Sequence, residues 1–178
     1  RLKLLVPPGV WFTGPIVLKS NINLHLEVGA VIQFSGDDSL YSIIQTSFEG
    51  LDTYRCQSPL SATNATNIAI TGNGVIDGNG QFWRPVKREK VTDSQWKEII
   101  KRPGGFLPRE NYWVPNEGYA KAEAKATMNV VVADTDEEWE EYKRFLRPVM
   151  ISLVRCKNIL ITRCYIPKFT SMEFTSIN

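Results

Sequence analysis

The sequence has one histidine, His25, and three cysteines, Cys56, Cys156 and Cys164. A zinc centre built on several histidines is thereby excluded. A Ser-His-Asp arrangement would have to take its base from Leu24-His25-Leu26, an apolar alternation that reads as strand. A plain strand histidine is the simpler reading. Three cysteines leave at least one unpaired, so no disulfide framework organises the chain. We read them as inert thiols acting as small hydrophobes, with a Cys156–Cys164 bridge or a metal site as the alternatives. No apolar run approaches the roughly 20 residues that cross a bilayer. No block of like charges suggests a tail, and a net charge of +2 is too small to indicate a nucleic-acid partner. The first residue is Arg1 rather than Met, which leaves a processed or cut N-terminus open. Targeting signals give no localisation.

What is present is enough for a core, since 178 residues of which 43% are hydrophobic can fold as one domain. The most informative stretch runs from Ser61 to Trp83. Ile68 and Ile70, then Val75 and Ile76 ahead of Asp77, alternate as strands do. Gly72-Asn73-Gly74 and Gly78-Asn79-Gly80 supply residues that tolerate the positive φ of sharp turns. Taken alone, Asn-Gly suggests a hairpin. Recurrence changes that. Asn21-Ile22-Asn23-Leu24, Asn67-Ile68-Ala69-Ile70 and Asn158-Ile159-Leu160-Ile161 repeat one pattern, and Gly29-Ala30-Val31-Ile32 matches Asn73-Gly74-Val75-Ile76. Residues 4–34 add further short strands broken by Pro7-Pro8-Gly9, Thr13-Gly14-Pro15 and Gly29. A self-similar unit of short strands points to an all-β solenoid whose coils stack in parallel. The recurring asparagine would then form a hydrogen-bonded ladder. With roughly 20–25 residues per coil, the 46 residues from Asn21 to Asn67 predict about two coils. The 91 residues to Asn158 predict an insertion.

Composition places that insertion at 84–147. Thr92-Asp93-Ser94 followed by Trp96-Lys97-Glu98-Ile99-Ile100-Lys101, and stopped by Pro103-Gly104-Gly105, predicts a capped helix. Thr135-Asp136-Glu137-Glu138 predicts a capping box for a second, with Trp139, Tyr142, Phe145 and Leu146 on one face. Residues 120–126 fit a helix or a mobile segment. We therefore expect one β-helix domain over 1–178 with a partly helical excursion at 84–147.

Three segments carry a family resemblance. Val6-Pro7-Pro8-Gly9-Val10-Trp11-Phe12-Thr13-Gly14-Pro15-Ile16-Val17-Leu18-Lys19-Ser20-Asn21 resembles the opening coils of glycoside hydrolase family 28, the polygalacturonases and their relatives. Ile70-Thr71-Gly72-Asn73-Gly74-Val75-Ile76-Asp77-Gly78-Asn79-Gly80 with Trp83 is similar to the next landmark. Arg147-Pro148-Val149-Met150-Ile151 and Cys156-Lys157-Asn158-Ile159 resemble the return to the helix after the loop. The motifs occur in the family's order, span residues 4 to about 162, and are closest to the bacterial, long-insertion branch.

The resemblance implies a right-handed single-stranded parallel β-helix of the pectin-lyase-like kind. It also implies cofactor-free hydrolysis of pectic polysaccharide by direct attack of water, outside the cytoplasm (secreted or periplasmic). That chemistry rests on aspartates from neighbouring coils. The family's Asn-x-Asp, Asp-Asp, Gly-His-Gly and Arg-x-Lys motifs have no counterpart in residues 148–178, the family's capping segment before Pro-Pro-Gly is missing, and the tail 163–178 departs from the pattern. We expect the N-terminal part of such an enzyme, inactive alone. The alternatives are a non-catalytic carbohydrate-binding or structural module, and a fragment that self-associates through open solenoid ends.

No residue is assigned a catalytic or metal-binding role, and the substrate-binding residues are left unassigned. Asp37-Asp38 imitates a catalytic pair in letters, but its place after the Ala30–Phe34 strand suits a turn or a solvated loop. Asp77 is read as a turn residue that accepts backbone N–H groups. Asn64-Ala65-Thr66 matches the glycosylation sequon, which matters only in a eukaryotic secretory chain. Between Arg84 and Arg109 lie eight basic residues (Arg84, Lys87, Arg88, Lys90, Lys97, Lys101, Arg102, Arg109) against Glu89, Asp93 and Glu98. They would favour a polyanionic substrate, and Trp83, Trp96, Tyr112 and Trp113 could stack on sugars. The plainer reading is a solvated face with aromatics pinning the insertion. Glycine-rich turns here lack the strand-to-helix setting of a phosphate loop.

Overall fold

The computed structural model describes residues 1–48, 50–166 and 172–175. They divide into two compact units, one from 1–41, 57–80 and 148–178, the other from 42–56 and 81–147. Part of the tail discussed above, 167–171 and 176–178, lies outside the described residues.

The first unit is built coil by coil. Coil one holds β1 (Leu2–Val6), β2 (Gly9–Thr13) and β3 (Ile16–Val17). Coil two holds β4 (Ile22–Leu26) and β5 (Ala30–Phe34); the chain then contributes β6 (Ile43–Phe48) and β7 (Leu51–Cys56) to the second unit before closing the coil with β8 (Leu60–Thr63). Coil three starts with β9 (Thr66–Gly72) and β10 (Val75–Asp77). The second unit then takes β11 (Val86–Lys87), α1 (Asp93–Ile99), β12 (Phe106–Arg109), β13 (Tyr112–Val114), α2 (Glu117–Lys125) and α3 (Asp136–Glu141). Coil three ends with β14 (Ile151–Val154), and β15 (Lys157–Ile161) and β16 (Met172–Thr175) belong to coil four.

Three parallel sheets result, with orders β1-β4-β9-β15, β2-β5-β10 and β3-β8-β14-β16. The expected all-β parallel solenoid is what forms, and no Asn-Gly hairpin joins β9 to β10. Alternation puts Leu24, Leu26, Ala30, Ile32, Phe34, Leu60, Ile68, Ile70, Ile76, Ile151 and Leu153 in one core. Each large aliphatic side chain buried there contributes about 1.5–3 kcal/mol. Among the described residues β1 and β2 each have a neighbour on one side only, so Leu2 and Phe12 remain 71% and 66% exposed despite being apolar.

The asparagine ladder is present. Asn21, Asn67 and Asn158 all adopt positive φ, and Asn158 Nδ2 donates to Asn67 Oδ1 (2.5 Å) while Asn67 Nδ2 donates to Asn21 Oδ1 (2.8 Å). The coil count between them differs from expectation. Asn23 pairs directly with Ala69, and Val31 with Val75, so the 46 residues from Asn21 to Asn67 make one coil rather than two. The surplus is the β6–β7 hairpin, which coil length alone could not reveal. Leu2 pairing with Ile22 gives the plain coil length.

The second unit contains the segment expected as an excursion, 84–147, together with 42–56. Its helices are short. Thr92 closes a full capping box with Gln95 on α1, and Asn116 caps α2. Thr135 accepts from Glu138 N on α3, but Glu138 Oε2 takes the N–H of Asp134, so the box is shifted by one residue. α3 ends at Glu141, and Tyr142, Phe145 and Leu146 are buried in the turns beyond it. The unit also has an antiparallel sheet, β11-β13-β12, that helix-period reasoning did not anticipate. Among the described residues no helix is long and apolar enough to cross a membrane.

Candidate functional site

In the first unit the sequence-selected polar residues serve the coils. Asp37 caps the 3-10 turn Asp38–Leu40 by accepting from Ser39 N (3.0 Å). Asp77 Oδ1 accepts from Asn79 N (2.9 Å), and its Oδ2 accepts from Gln33 Nε2 (3.3 Å). Both oxygens of Asp77 are therefore engaged. His25 lies in β4 with Nδ1 2.7 Å from Thr71 Oγ1, and Thr71 Oγ1 donates to Asn23 Oδ1 (2.9 Å). A hydroxyl has one proton to give, so His25 must carry its proton on Nδ1 and donate to Thr71. This is a ladder contact between adjacent coils. Asn64 Oδ1 accepts from Arg155 Nε (2.7 Å) at the corresponding corner of the next coil. All three cysteines are free thiols, and burial raises the pKa of Cys164. Among the described residues no group of His, Cys, Asp and Glu is placed to hold a metal ion.

The second unit contains a cleft of about 580 Å³ lined by Lys87, Arg88, Glu89, Arg109, Glu110, Asn111 and Tyr112. Each strand of the sheet β11-β13-β12 contributes one lining residue, Lys87, Tyr112 and Arg109 respectively. Lys87 pairs with Tyr112, and Tyr112 with Arg109, so the three side chains form one cross-strand row on one face. The Arg109 guanidinium carbon sits 5.0 Å from the Tyr112 ring centroid. Tyr112 Oη donates to Glu123 Oε1 (2.6 Å), which locks the ring in place. Burial first, and then the Glu123 carboxylate, push the Tyr112 phenol well above its ordinary value. Arg88 is committed to Asp93 and to the carbonyl of Val91. Lys87 and Arg109 carry the row's unneutralised charge.

The remaining sequence candidates disperse. Trp83, Tyr112 and Trp113 are only 4%, 7% and 3% exposed, so they pack the unit and offer no free ring face for a sugar. Arg102 stacks on Trp113 and Lys101 pairs with Glu98. Arg84 is partly buried, and burial with Arg147 nearby lowers its pKa. Glu110 and Asn111 were not selected from sequence. They form the two-residue turn between β12 and β13, which contains no glycine to announce it.

No family model matches the chain. Over 83 residues it is 35% identical to an exo-poly-alpha-D-galacturonosidase of Dickeya chrysanthemi, covering 42% of this chain and 14% of that protein. The hyperthermoactive exopolygalacturonase of Thermotoga maritima matches 92% of this chain with 30% identity and a TM-score of 0.56. The family 28 exopolygalacturonase of Yersinia enterocolitica matches 92% with 19% identity and a TM-score of 0.54, a likeness of fold. The chain spans 33% and 29% of those two proteins' lengths.

Proposed function

We propose that this chain, similar to exopolygalacturonases and sharing their right-handed parallel β-helix, is the N-terminal part of a pectin-cleaving family 28 glycoside hydrolase whose acid groups lie on coils outside it. The observation that carries this reading is the use made of the coil aspartates. Hydrolysis with inversion needs two carboxyl groups roughly 6.5–9.5 Å apart, flanking the scissile bond and free to hold a proton and a water. Asp37 is spent on a turn cap, and both oxygens of Asp77 are spent on Asn79 and Gln33. What the coils supply is a rigid stacked frame.

The test is release of reducing ends from polygalacturonate. The 178-residue chain is expected to release none above buffer, and the full-length reading frame containing it is expected to release galacturonate. Turnover by the short chain that is lost in Asp37→Asn or Asp77→Asn would refute the assignment of those carboxylates. An inert full-length protein would refute the pectin reading itself.

A further inference from the structure

We propose that the cross-strand row Lys87–Tyr112–Arg109 in the second unit is a binding site for the carboxylate of an acidic sugar, and that it holds an oligouronide without taking part in bond cleavage. This rests on the pectin reading for its substrate class, but the site is argued from its own chemistry.

Adjacent strands lie about 4.8 Å apart, so Lys87 and Arg109, one strand to either side of Tyr112, start about 10 Å apart. Both side chains are exposed and long enough to converge on one anion in the cleft, beside the buried Tyr112 ring. Arg109 is pre-positioned by stacking on Tyr112, and Tyr112 is itself fixed by Glu123. Holding one guanidinium in place before binding reduces the ordering cost that long side chains normally impose.

The other lining residues select among anions. With Arg88 paired to Asp93, the cleft sets two cations, Lys87 and Arg109, beside two carboxylates, Glu89 and Glu110. A site for phosphate or a nucleic-acid backbone gains nothing from two carboxylates at its rim. A uronide does, because its hydroxyl groups need acceptors while its carboxylate needs a donor, and Glu89, Glu110 and Asn111 provide acceptors beside the cations. Neutral sugars offer the cations only hydroxyl oxygens, which accept more weakly than a carboxylate does.

Calorimetry on the purified chain tests this with trigalacturonate, a neutral galactose trimer and inorganic phosphate as probes. Trigalacturonate is expected to bind, more weakly at higher salt, with the neutral trimer and phosphate each weaker by about tenfold or more. Lys87→Gln and Arg109→Gln, both at exposed positions, should each weaken trigalacturonate binding roughly three- to tenfold with an unchanged circular dichroism spectrum. Lys97→Gln, an exposed cation on α1 outside the cleft, should leave it unchanged. No heat at millimolar trigalacturonate, equal binding of the neutral trimer or phosphate, or indifference to both cleft substitutions would each overturn the proposal. None of those results bears on whether the full-length protein cleaves polygalacturonate, so the two readings fail separately.

Discussion

Replacing Gly72 with alanine probes the stacking of coils directly. Gly72 closes β9, stands in register with Leu26 of β4, and has φ +104. Any L-residue there carries backbone strain of about 1–3 kcal/mol. The larger effect is steric. A Cβ at this position would lie 2.8 Å from the Leu26 carbonyl carbon and 2.9 Å from its nitrogen, and would overlap its oxygen. These are backbone atoms of the coil next door, so no rotamer relieves the clash. The coils must separate locally by on the order of 1 Å against a strand spacing of about 4.8 Å. That breaks the Asn73 N to Leu26 O bond (3.0 Å) and weakens its neighbours. Two or three such bonds at about 0.5–1.5 kcal/mol each bring the total, with the strain, to about 2–7 kcal/mol.

Gly29 is the internal control. It also has positive φ (+84), but its Cβ would meet only Pro8 Cβ at 3.5 Å, an ordinary contact. Gly29→Ala should therefore cost the strain alone, about 1–3 kcal/mol. Urea unfolding followed by far-ultraviolet circular dichroism measures both. Tryptophan fluorescence in parallel reports mainly on the second unit, where Trp83, Trp96, Trp113 and Trp139 lie, and shows whether one transition describes the chain. If the two variants lose the same stability to within about 0.5 kcal/mol, inter-coil contact at Gly72 is not what limits the stack.

Two further outcomes follow from the same contacts. Asn67 both donates to Asn21 and accepts from Asn158 at φ 58, so Asn67→Gly should lose about 0.5–2 kcal/mol and Asn67→Ala about 1 kcal/mol more, read by thermal melts; the reverse order would contradict the ladder. Tyr112 and Tyr119 both have phenol pKa values raised chiefly by burial. The folded state thus holds these protons more tightly than the unfolded state, and their stabilising effect is complete below the ordinary phenol value and shrinks above it. The urea midpoint should fall between about pH 9 and pH 11, and less steeply in Tyr112→Phe; a midpoint that rises over that interval would reverse the sign of the argument.

The solenoid was legible in the sequence because its signals are local and repeated. Period-two apolar runs choose the inward face of each strand, and an asparagine at positive φ marks the same corner in each coil. Asn21, Asn67 and Asn158 were thus recognisable as equivalent before any contact was known. Coil counting was not local. The β6–β7 hairpin interrupts coil two along the chain, and its length resembles that of an extra coil. Only the pairing of Asn23 with Ala69 decides between the two.

The second unit divides in the same way. Its helix starts were written in Thr92 with Gln95 and in Thr135 with Glu138, because a cap is a contact between residues three apart. Its sheet was not, since β11 and β13 are two and three residues long and pair residues with no periodic relation. Basic residues and aromatics were visible between positions 83 and 113, but composition cannot say which rings are buried. Tertiary packing placed Trp83 and Trp113 inside, and antiparallel pairing brought Lys87 and Arg109 to either side of Tyr112. The amino-acid order fixes what each short segment prefers to be; which distant segments become neighbours is a cooperative outcome of burying all of them at once.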